Sequence, residues 1–190
     1  MSVSSAFLPS TDGSYELATF GAGCFWGTDK SFRRKFMVKG KGLLDCQVGY
    51  AGGHTLNADY RQVCTGQTGH AEVIQVKYDP KVVSYLDLVD FFYRSHDPLT
   101  VNKQGNDAGT QYRSAIFYHN AQQKIWAEEG TVLAQKHFGT HKIATTIEPL
   151  GNYIAGEEYH QDYLTKNPKG YECATHFERS WESIEAKYNK

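Results

Sequence analysis

The stretch YELATFGAGCFWG, residues 15–27, decides the first unit of the fold. Residues 15–20 combine aromatic, β-branched and small apolar side chains, which favours a strand, and the glycines that follow end it. Phenylalanines then recur at helical spacing, which predicts a helix from Phe25 to Phe36. A strand, a tight turn and a helix therefore open the chain, and the remaining elements are placed around them.

Further strand and helix patterns follow this unit in a regular order. The predicted strands cover residues 43–50, 71–78 and 114–119. A second helix is expected after Ser84, which resembles the start of a capping box with Asp87, and it should end near Arg94. The order over residues 15–119 is then βαββαβ. This order predicts an α+β fold, a ferredoxin-like two-layer sandwich with helices on one face of an antiparallel sheet.

Residues beyond 119 are expected to form a C-terminal extension and an irregular tail. The predicted elements are a helix over residues 120–137, a strand over 143–149, a short helix over 156–164 and a last helix over 177–188. A chain of 190 residues has the size of one domain with one hydrophobic core. We therefore expect a single catalytic domain, with a flexible N-terminus over residues 1–14 and a tail over residues 166–190.

The charge pattern argues against nucleic acid and membranes as partners. The formal net charge is −1, and acidic and basic residues are interspersed. Apolar stretches fall short of the roughly 18 residues that a membrane span needs. Residues 1–14 lack the charged and apolar regions of a secretion signal and the arginines of a mitochondrial one. We expect a cytoplasmic monomer.

The spacing of the cysteines and of two histidines argues against a metal site. Cysteines stand at positions 24, 46, 64 and 173, without a Cys-x-x-Cys pair, which argues against a zinc ribbon. In a chain of this size without a secretion signal, free or catalytic thiols are favoured over structural disulfides. His137 and His141 have helical ligand spacing, but Gly139 between them breaks the helix. We expect neither a metal site nor another cofactor.

Cys24 lies where the glycine-rich turn meets the start of the first predicted helix. Backbone N–H groups and the dipole at a helix N-terminus favour a thiolate, so we expect a lowered pKa for Cys24. The alternative is a small buried residue at a helix start, which is common for cysteine. Position alone does not separate these interpretations. The aromatic pair Phe25 and Trp26 beside the thiol favours a functional site.

Glu72 is predicted to point to the apolar side of its strand. In AEVIQVKY, residues 71–78, side chains alternate, and Glu72 shares a face with Ile74. Gln75 and Lys77 lie on the other face, which we expect to reach water. Burial disfavours a carboxylate and raises its pKa, which produces a proton donor near neutral pH. The alternative is a glutamate at a strand end that reaches solvent.

Polar aromatic residues on two loops are further candidates. Tyr60 and Tyr112 can each present a hydroxyl group to a polar substrate atom, and Asp107 is placed to orient one of them. The alternative is that each tyrosine is a packing residue, which is common in a chain with 13 tyrosines.

Three other histidines offer competing interpretations. His70 and His96 are candidates to pair with Cys24 in a Cys–His hydrolase, the main competing enzyme class. His160 is expected to pack or cap near the C-terminal helix. A non-enzymatic redox or binding module with the same fold remains a second alternative.

Several motifs in a fixed order resemble one known family. They are GCFWG (23–27), VGYAGG (48–53), YRQVC (60–64), TGHAE (68–72), GNDAGTQYRS (105–114), YHQ (159–161) and KNPKGY (166–171). Together these segments are similar to the A type of peptide methionine sulfoxide reductase. The resemblance implies reduction of the S epimer of methionine sulfoxide, free or in proteins.

The resemblance also implies roles for particular residues. It implies that Cys24 is the nucleophile and Glu72 the acid, and that Phe25 and Trp26 hold the methyl group of the substrate. The residues implied to complete the polar site are Tyr60, Asp107 and Tyr112. Cys24 would become a sulfenic acid, which condenses with a second thiol to a disulfide.

A second cysteine is needed to form a disulfide with Cys24. Cys173 is our candidate because it lies in the irregular tail, where a swing towards Cys24 is possible. Cys46 looks structural, and Cys64 remains a rival. Members of the family often carry two recycling cysteines in the tail, whereas here only Cys173 follows residue 64. We therefore predict a single Cys24–Cys173 disulfide, which thioredoxin would reduce by thiol–disulfide exchange.

Overall fold

The structure is a computed structural model that describes residues 5–189. Its main sheet is built from strands Glu16–Ala22 (β1), Leu43–Ala51 (β2), Ala71–Tyr78 (β3), Ser114–Tyr118 (β6), Thr146–Pro149 (β7) and Tyr153–Ala155 (β8). A small hairpin pairs Lys103–Gln104 (β4) with Asp107–Ala108 (β5). The helices are Phe25–Phe36 (α1), Tyr60–Cys64 (α2), Tyr85–Ser95 (α3), Ala121–Gln135 (α4), Tyr163–Lys166 (α5) and Trp181–Tyr188 (α6). Short 3₁₀ turns cover Thr110–Tyr112, Lys136–Phe138 and Glu158–His160.

The fold is α+β with a mixed sheet. The strand order is β7-β6-β1-β3-β2-β8. Neighbours are antiparallel except for β6 and β7, which run parallel. The two outer strands, β7 and β8, extend the predicted four-stranded unit at both edges.

The connection between β7 and β8 requires the sheet to curl. Pro149 ends β7 and Tyr153 begins β8, yet these strands lie at opposite edges of the sheet. Four residues of extended chain reach about 14 Å. A flat sheet of this width would separate its edges by roughly 24 Å, at about 4.8 Å per strand spacing. The sheet must therefore curl so that its two edges approach each other.

One face of the sheet carries the main core against α1 and α3. Phe20 of β1 stacks on Phe32 of α1 and on Phe92 of α3, with ring centroids 5.5 and 5.3 Å apart. The α3 helix begins at the predicted capping box, because the side chains of Ser84 and Asp87 each accept the other's backbone N–H. This packing fixes α1, and with it the turn before α1, against the sheet.

The opposite face was expected to reach water, and this prediction is wrong. Gln75 is buried, and its side-chain amide donates to Thr19 Oγ1 over 3.1 Å. Val73 and Phe117 form a second apolar cluster there, against which Tyr153 packs. The curl of the sheet encloses this face, so β3 is buried on both sides.

The later elements differ from their predicted bounds. The last helix begins at Trp181 rather than at residue 177, because Ser180 caps it and Phe177 is exposed. The predicted helix over residues 156–164 is instead a 3₁₀ turn and α5, separated near Asp162, whose φ is 51°. Within the predicted loop over residues 51–70, α2 forms behind a capping box.

Two further expectations concern the termini and membranes. Part of the N-terminus predicted to be flexible, residues 1–4, lies outside the described residues. Within residues 5–189, every helix is too short or too polar to cross a lipid bilayer.

Candidate active site

The turn that carries Cys24 depends on its glycines. Gly23 has a φ of +88°, which favours glycine, and a Cβ there would lie 2.4 Å from Cγ of Gln104. A Cβ at Gly27 would lie 2.1 Å from Nδ1 of His176. Cys24 is the N-cap residue of α1. The backbone around the thiol is thus held between the β4–β5 hairpin and the tail.

The expected low pKa of Cys24 is wrong for this structure. Cys24 is only 7% exposed, and this burial raises the pKa of its thiol, as does the negative charge of an ionised Glu72. The backbone N–H groups of Trp26 and Gly27 act in the opposite direction but do not prevail. Helix position was readable from the sequence, whereas the extent of burial was not. In the substrate-free site Cys24 is a thiol.

Glu72 lies beside the nucleophile turn, on the side of β3 that the sequence predicted. The backbone N–H of Phe25 donates to Glu72 Oε2 over 3.0 Å. The side chain is 1% exposed. Burial raises the pKa of Glu72 to about 8, although the hydrogen bond from Phe25 opposes this shift. At neutral pH the carboxyl is therefore mainly protonated and able to donate.

Tyr60 and Tyr112 both lie within electrostatic reach of Glu72. Burial raises the pKa of both hydroxyls, and the negative charge of an ionised Glu72 raises it further. Both side chains are partly exposed, whereas Cys24 and Glu72 are buried. The two phenols stay protonated and can donate to an oxygen that enters the site.

Asp107 has a different partner from the one expected. Its Oδ1 accepts a hydrogen bond from the hydroxyl of Tyr171 over 2.9 Å, and Tyr171 belongs to the tail. The effect of Asp107 on Tyr112 is that of a nearby charge, which raises the pKa of that tyrosine less than burial does. Asp107 therefore links the site to the tail rather than orienting one of the two predicted tyrosines.

Aromatic rings form an apolar wall next to Cys24. The indole of Trp26 stacks on Tyr163, with centroids 3.8 Å apart and planes 13° apart. Phe25 packs against Tyr50 and Tyr60, at centroid distances of 5.8 and 6.4 Å. Phe25 and Trp26, the two residues that follow Cys24, thus both belong to this wall.

His160 is in this wall, which corrects its expected place near the C-terminal helix. Its ring centroid lies 5.0 Å from that of Phe25 and 4.6 Å from that of Tyr60. The indole N–H of Trp26 donates to His160 Nδ1 over 3.0 Å. The 3₁₀ turn over Glu158–His160 carries the ring into the wall, and a short turn of this kind leaves little periodicity to read.

The histidines of the competing hydrolase interpretation are engaged elsewhere. His70 accepts from the N–H of Gly53 at one ring nitrogen and contacts Thr55 O with the other, 3.1 and 2.9 Å away. His96 uses its two nitrogens on Phe92 O and Ser114 Oγ, each 2.7 Å away. Neither has a nitrogen left to activate Cys24. Across residues 5–189 there is also no cluster of three or more metal-ligating side chains.

All four cysteines are free thiols. Cys46 is buried, 3.4 Å from Asp29 Oδ1, and burial raises the pKa of its thiol. Cys64 is exposed at the end of α2, where its thiol interacts with the Tyr60 side chain. Cys173 is 2% exposed, with its sulfur 3.5 Å from the carbonyl oxygen of Gln104.

One tyrosine of the tail, Tyr171, is influenced by both thiols of the predicted disulfide. Burial and the hydrogen bond to Asp107 raise the pKa of Tyr171, and charges on Cys173 and Cys24 contribute in the same direction. Tyr171 therefore lies within electrostatic reach of both sulfur atoms. The residue before Cys173, Glu172, is tied to α1 by an ion pair with Lys30 at 2.6 Å.

This geometry can be compared with known proteins. A model of the family "Peptide methionine sulfoxide reductase" matches residues 16–190. The chain belongs to this family. It is accordingly an oxidoreductase of the kind that reduces methionine sulfoxide. One member, the reductase MsrA of Methanothermobacter thermautotrophicus, is 52% identical over 156 residues, which are 82% of this chain and 89% of the relative.

Solved structures of another member of the reductase family are also similar. The reduced form of Mxr1 from Saccharomyces cerevisiae has a TM-score of 0.85 and 43% identity, covering 91% of this chain and 96% of that one. Mxr1 in complex with Trx2 has a TM-score of 0.62 and 30% identity, covering 92% and 96%.

Sequence reasoning missed several residues of this reductase site. Glu157 is the main example: it is buried and accepts hydrogen bonds from Tyr50 and from the backbone of Tyr60. His176, in the tail, contacts Ala22 O through Nε2 over 2.7 Å. These residues lie in segments without regular structure or in short turns. The only sequence signal was the YHQ motif, which begins two residues after Glu157.

Proposed function

We propose that this reductase converts the S epimer of methionine sulfoxide, free or in proteins, to methionine, with Cys24 as nucleophile and Glu72 as acid. One observation carries the proposal: the N–H of Phe25, the residue after Cys24, donates to Glu72 Oε2 over 3.0 Å. A thiol and a protonated carboxyl that adjoin one turn can act on the sulfur and the oxygen of one S=O group. The choice of epimer rests on the family resemblance.

The first step transfers the sulfoxide oxygen to Cys24. Glu72 gives its proton to the oxygen while the sulfur of Cys24 attacks the substrate sulfur, and the thiol proton passes to the Glu72 carboxylate. The attack forms an S–S bond between Cys24 and the substrate. The hydroxyl group then moves from the substrate sulfur to the Cys24 sulfur: an S–O bond to Cys24 forms, the substrate S–O bond and the S–S bond break, methionine leaves, and Cys24 is a sulfenic acid. Two electrons move from the Cys24 sulfur to the substrate sulfur, and the number of protons in the site is unchanged. A neutral thiol and a neutral acid are the required starting forms.

The remaining side chains bind and orient the substrate. The hydroxyls of Tyr60 and Tyr112 donate to the sulfoxide oxygen, which adds to the hydrogen bond from Glu72. Phe25 and Trp26 enclose the methyl group on the apolar side. Asp107, through Tyr171, keeps the tail next to the site.

Recycling uses Cys173 as the second thiol. Its thiol condenses with the Cys24 sulfenic acid, which releases water and forms a Cys24–Cys173 disulfide. Thioredoxin then reduces this disulfide by exchange, a role supported by the Mxr1–Trx2 complex. Cys173 is buried beside Gln104, and we expect the tail to move from that position when the disulfide forms.

The recycling step predicts a separation of two activities. The Cys173→Ser variant should release one methionine per chain and then stop when thioredoxin is the reductant, because its sulfenic acid has no partner thiol. Methionine release is measured in single turnover and in steady state. Cys46→Ser is the control, since Cys46 is buried against Asp29. If Cys64→Ser stops after one turnover and Cys173→Ser does not, the assignment to Cys173 is wrong.

The activity itself predicts selectivity between epimers. Purified methionine-S-sulfoxide, supplied with dithiothreitol, should be converted to methionine, whereas the R epimer should remain. The reason is that the methyl wall and the acid lie on fixed sides of Cys24, so only one epimer presents its oxygen to Glu72. Chromatography of methionine measures both reactions. Equal conversion of the two epimers would contradict the proposed site.

We also propose a fold unit, a domain organisation, an oligomeric state and a cellular location for the chain. Strands β1, β2, β3 and β6 with α1 and α3 make up a ferredoxin-like unit, for which the neighbour order β6-β1-β3-β2 is the support. The chain works as a single catalytic domain and a monomer in the cytoplasm. The charge pattern supports the absence of a nucleic-acid or membrane partner.

A further inference from the structure

A second buried carboxyl lies behind the aromatic wall, on the far side from Glu72. Glu157 is 6% exposed. Its Oε2 accepts from the Tyr50 hydroxyl over 2.6 Å, and its Oε1 accepts from the backbone N–H of Tyr60 over 2.8 Å. That N–H is one of the unpaired donors at the start of α2, so the carboxylate anchors the helix that carries Tyr60.

The two carboxyls have opposite protonation states. Burial by itself raises the pKa of Glu157, but the hydrogen bonds from Tyr50 and Tyr60 outweigh it, and the pKa lies below its usual value. Glu72 is protonated at neutral pH because burial dominates there. Glu157 is therefore an anion, enclosed by donors, next to a site whose acid is neutral.

The anion faces the one unpaired nitrogen of His160. Burial lowers the pKa of His160 to about 4, so its ring is neutral at pH 7. Because Nδ1 accepts the indole N–H of Trp26, the proton of the neutral ring is on Nε2. That nitrogen has no hydrogen-bond partner within residues 5–189 and lies 3.8 Å from Glu157 Oε2.

A negative charge at this place favours one tautomer of the ring. The Nε2–H dipole points towards the Glu157 carboxylate, which stabilises it, whereas a lone pair on Nε2 would be repelled. In the other tautomer, Nδ1–H would also face the N–H of Trp26, and two donors would oppose each other. The charge thus helps to keep Nδ1 as the acceptor that holds the indole.

We propose that Glu157 is a positioning residue for the substrate's methyl pocket: it holds His160 as the Nε2–H tautomer, and through His160 and α2 it fixes Trp26 and Tyr60. The inference rests on the proposed function of Trp26 and Tyr60. A pocket that encloses the methyl group binds the ground state and the transition state alike. Its loosening therefore raises KM more than it lowers kcat.

The test compares Glu157→Gln with a matched charge control. Glutamine keeps the size of the side chain and an oxygen that can accept the backbone N–H of Tyr60, so the donor position of Tyr60 is preserved, but it removes the charge and one acceptor oxygen. We expect KM for methionine-S-sulfoxide to rise by about tenfold or more, with kcat changed by less than about threefold. Glu129→Gln, on the exposed face of α4, makes the same chemical change and should leave both constants as they are.

A second measurement reports the tautomer without any turnover. In the full chain labelled with ¹⁵N-histidine, the NMR spectrum of His160 should show protonated Nε2 and unprotonated Nδ1, and Glu157→Gln should lose this pattern. Tyr50→Phe, which removes one hydrogen bond and keeps the carboxylate, should retain the tautomer and give a smaller rise in KM. If Glu157→Gln fails to fold, the wild-type spectrum is the test: a neutral His160 protonated at Nδ1 would overturn the positioning role.

The outcomes are distinguishable. An unchanged His160 tautomer in Glu157→Gln, or an unchanged KM, would overturn the positioning role. Equal loss of kcat and of kcat/KM at constant KM would also overturn it, because that pattern belongs to a group that acts only in the transition state. Failure of the wild-type chain to reduce the sulfoxide would reject the proposed function. The NMR measurement would still test whether Glu157 holds the His160 tautomer, because it does not depend on turnover.

Discussion

Replacing Cys24 with serine should abolish the conversion of methionine-S-sulfoxide to methionine, with a loss on the order of 10⁴-fold or more, as expected when a nucleophile is removed. Serine preserves the size of the side chain and its place at the start of α1. Its hydroxyl is a far weaker nucleophile towards sulfur and cannot form a sulfenic acid. The measurement is methionine release with dithiothreitol as reductant, which bypasses the recycling cysteine.

The same experiment includes a covalent readout. After treatment with the sulfoxide and no reductant, the Cys173→Ser variant should react at Cys24 with a probe specific for sulfenic acids, because it lacks the thiol with which the sulfenic acid would condense. The matched control is Cys46→Ser, which removes another buried thiol and should keep full activity. Substantial turnover by the Cys24→Ser variant would dispose of the mechanism.

Glu72→Gln should have the second largest effect, a fall in the rate of sulfoxide reduction of about 10²- to 10⁴-fold, the range typical for loss of general acid catalysis. Glutamine can still accept the N–H of Phe25 but cannot transfer a proton. Binding should be less affected than the rate, because Tyr60 and Tyr112 still donate to the oxygen. Single-turnover methionine release measures the rate separately from recycling.

Two controls make the Glu72 result specific. Glu148→Gln alters a partly exposed glutamate on β7, away from the thiol, and should leave the rate unchanged. Thermal unfolding of Glu72→Gln should show an intact fold, since burial of a neutral amide requires no charge to be desolvated. A rate within a few-fold of wild type would exclude Glu72 as the acid.

The local elements of the fold were predictable because their signals are short-range. The bounds of α1 and β3, the cap at Ser84 and the side of β3 on which Glu72 lies all follow from periodicities of 3.6 and 2 and from capping chemistry. The motifs that contain Cys24 and Glu72 both resemble the same family. In the fold, the Glu72 side chain lies beside the turn that carries Cys24.

The features that could not be predicted from the sequence depend on contacts between distant segments of the chain. The burial of Gln75 comes from the curl that joins β7 to β8. Burial also raises the pKa of Cys24, whereas its position at a helix start had led us to expect a lowered pKa. Glu157 contacts Tyr60 across 97 positions of the chain, and such a pairing leaves no pattern within any window of sequence.

The tail is the least periodic part of the chain, and it contains Cys173, the thiol that we propose for recycling. Cys173 is buried beside the hairpin, and His176 is seated against the Cys24 turn. The thiol that we propose for recycling is therefore shielded from solvent in the reduced form. Under this proposal, the tail moves between sulfoxide reduction and disulfide formation.

The pH dependence of sulfenic acid formation at Cys24 tests most directly whether a neutral acid lies beside the thiol. The pKa of Glu72 is raised to about 8, so its proton-donating form dominates below that pH and is lost above it. In wild type, the single-turnover rate should be flat around neutral pH and fall as the pH rises through about 8; in Glu72→Gln the slower rate should lack this fall. Identical pH profiles in the two proteins would contradict the account.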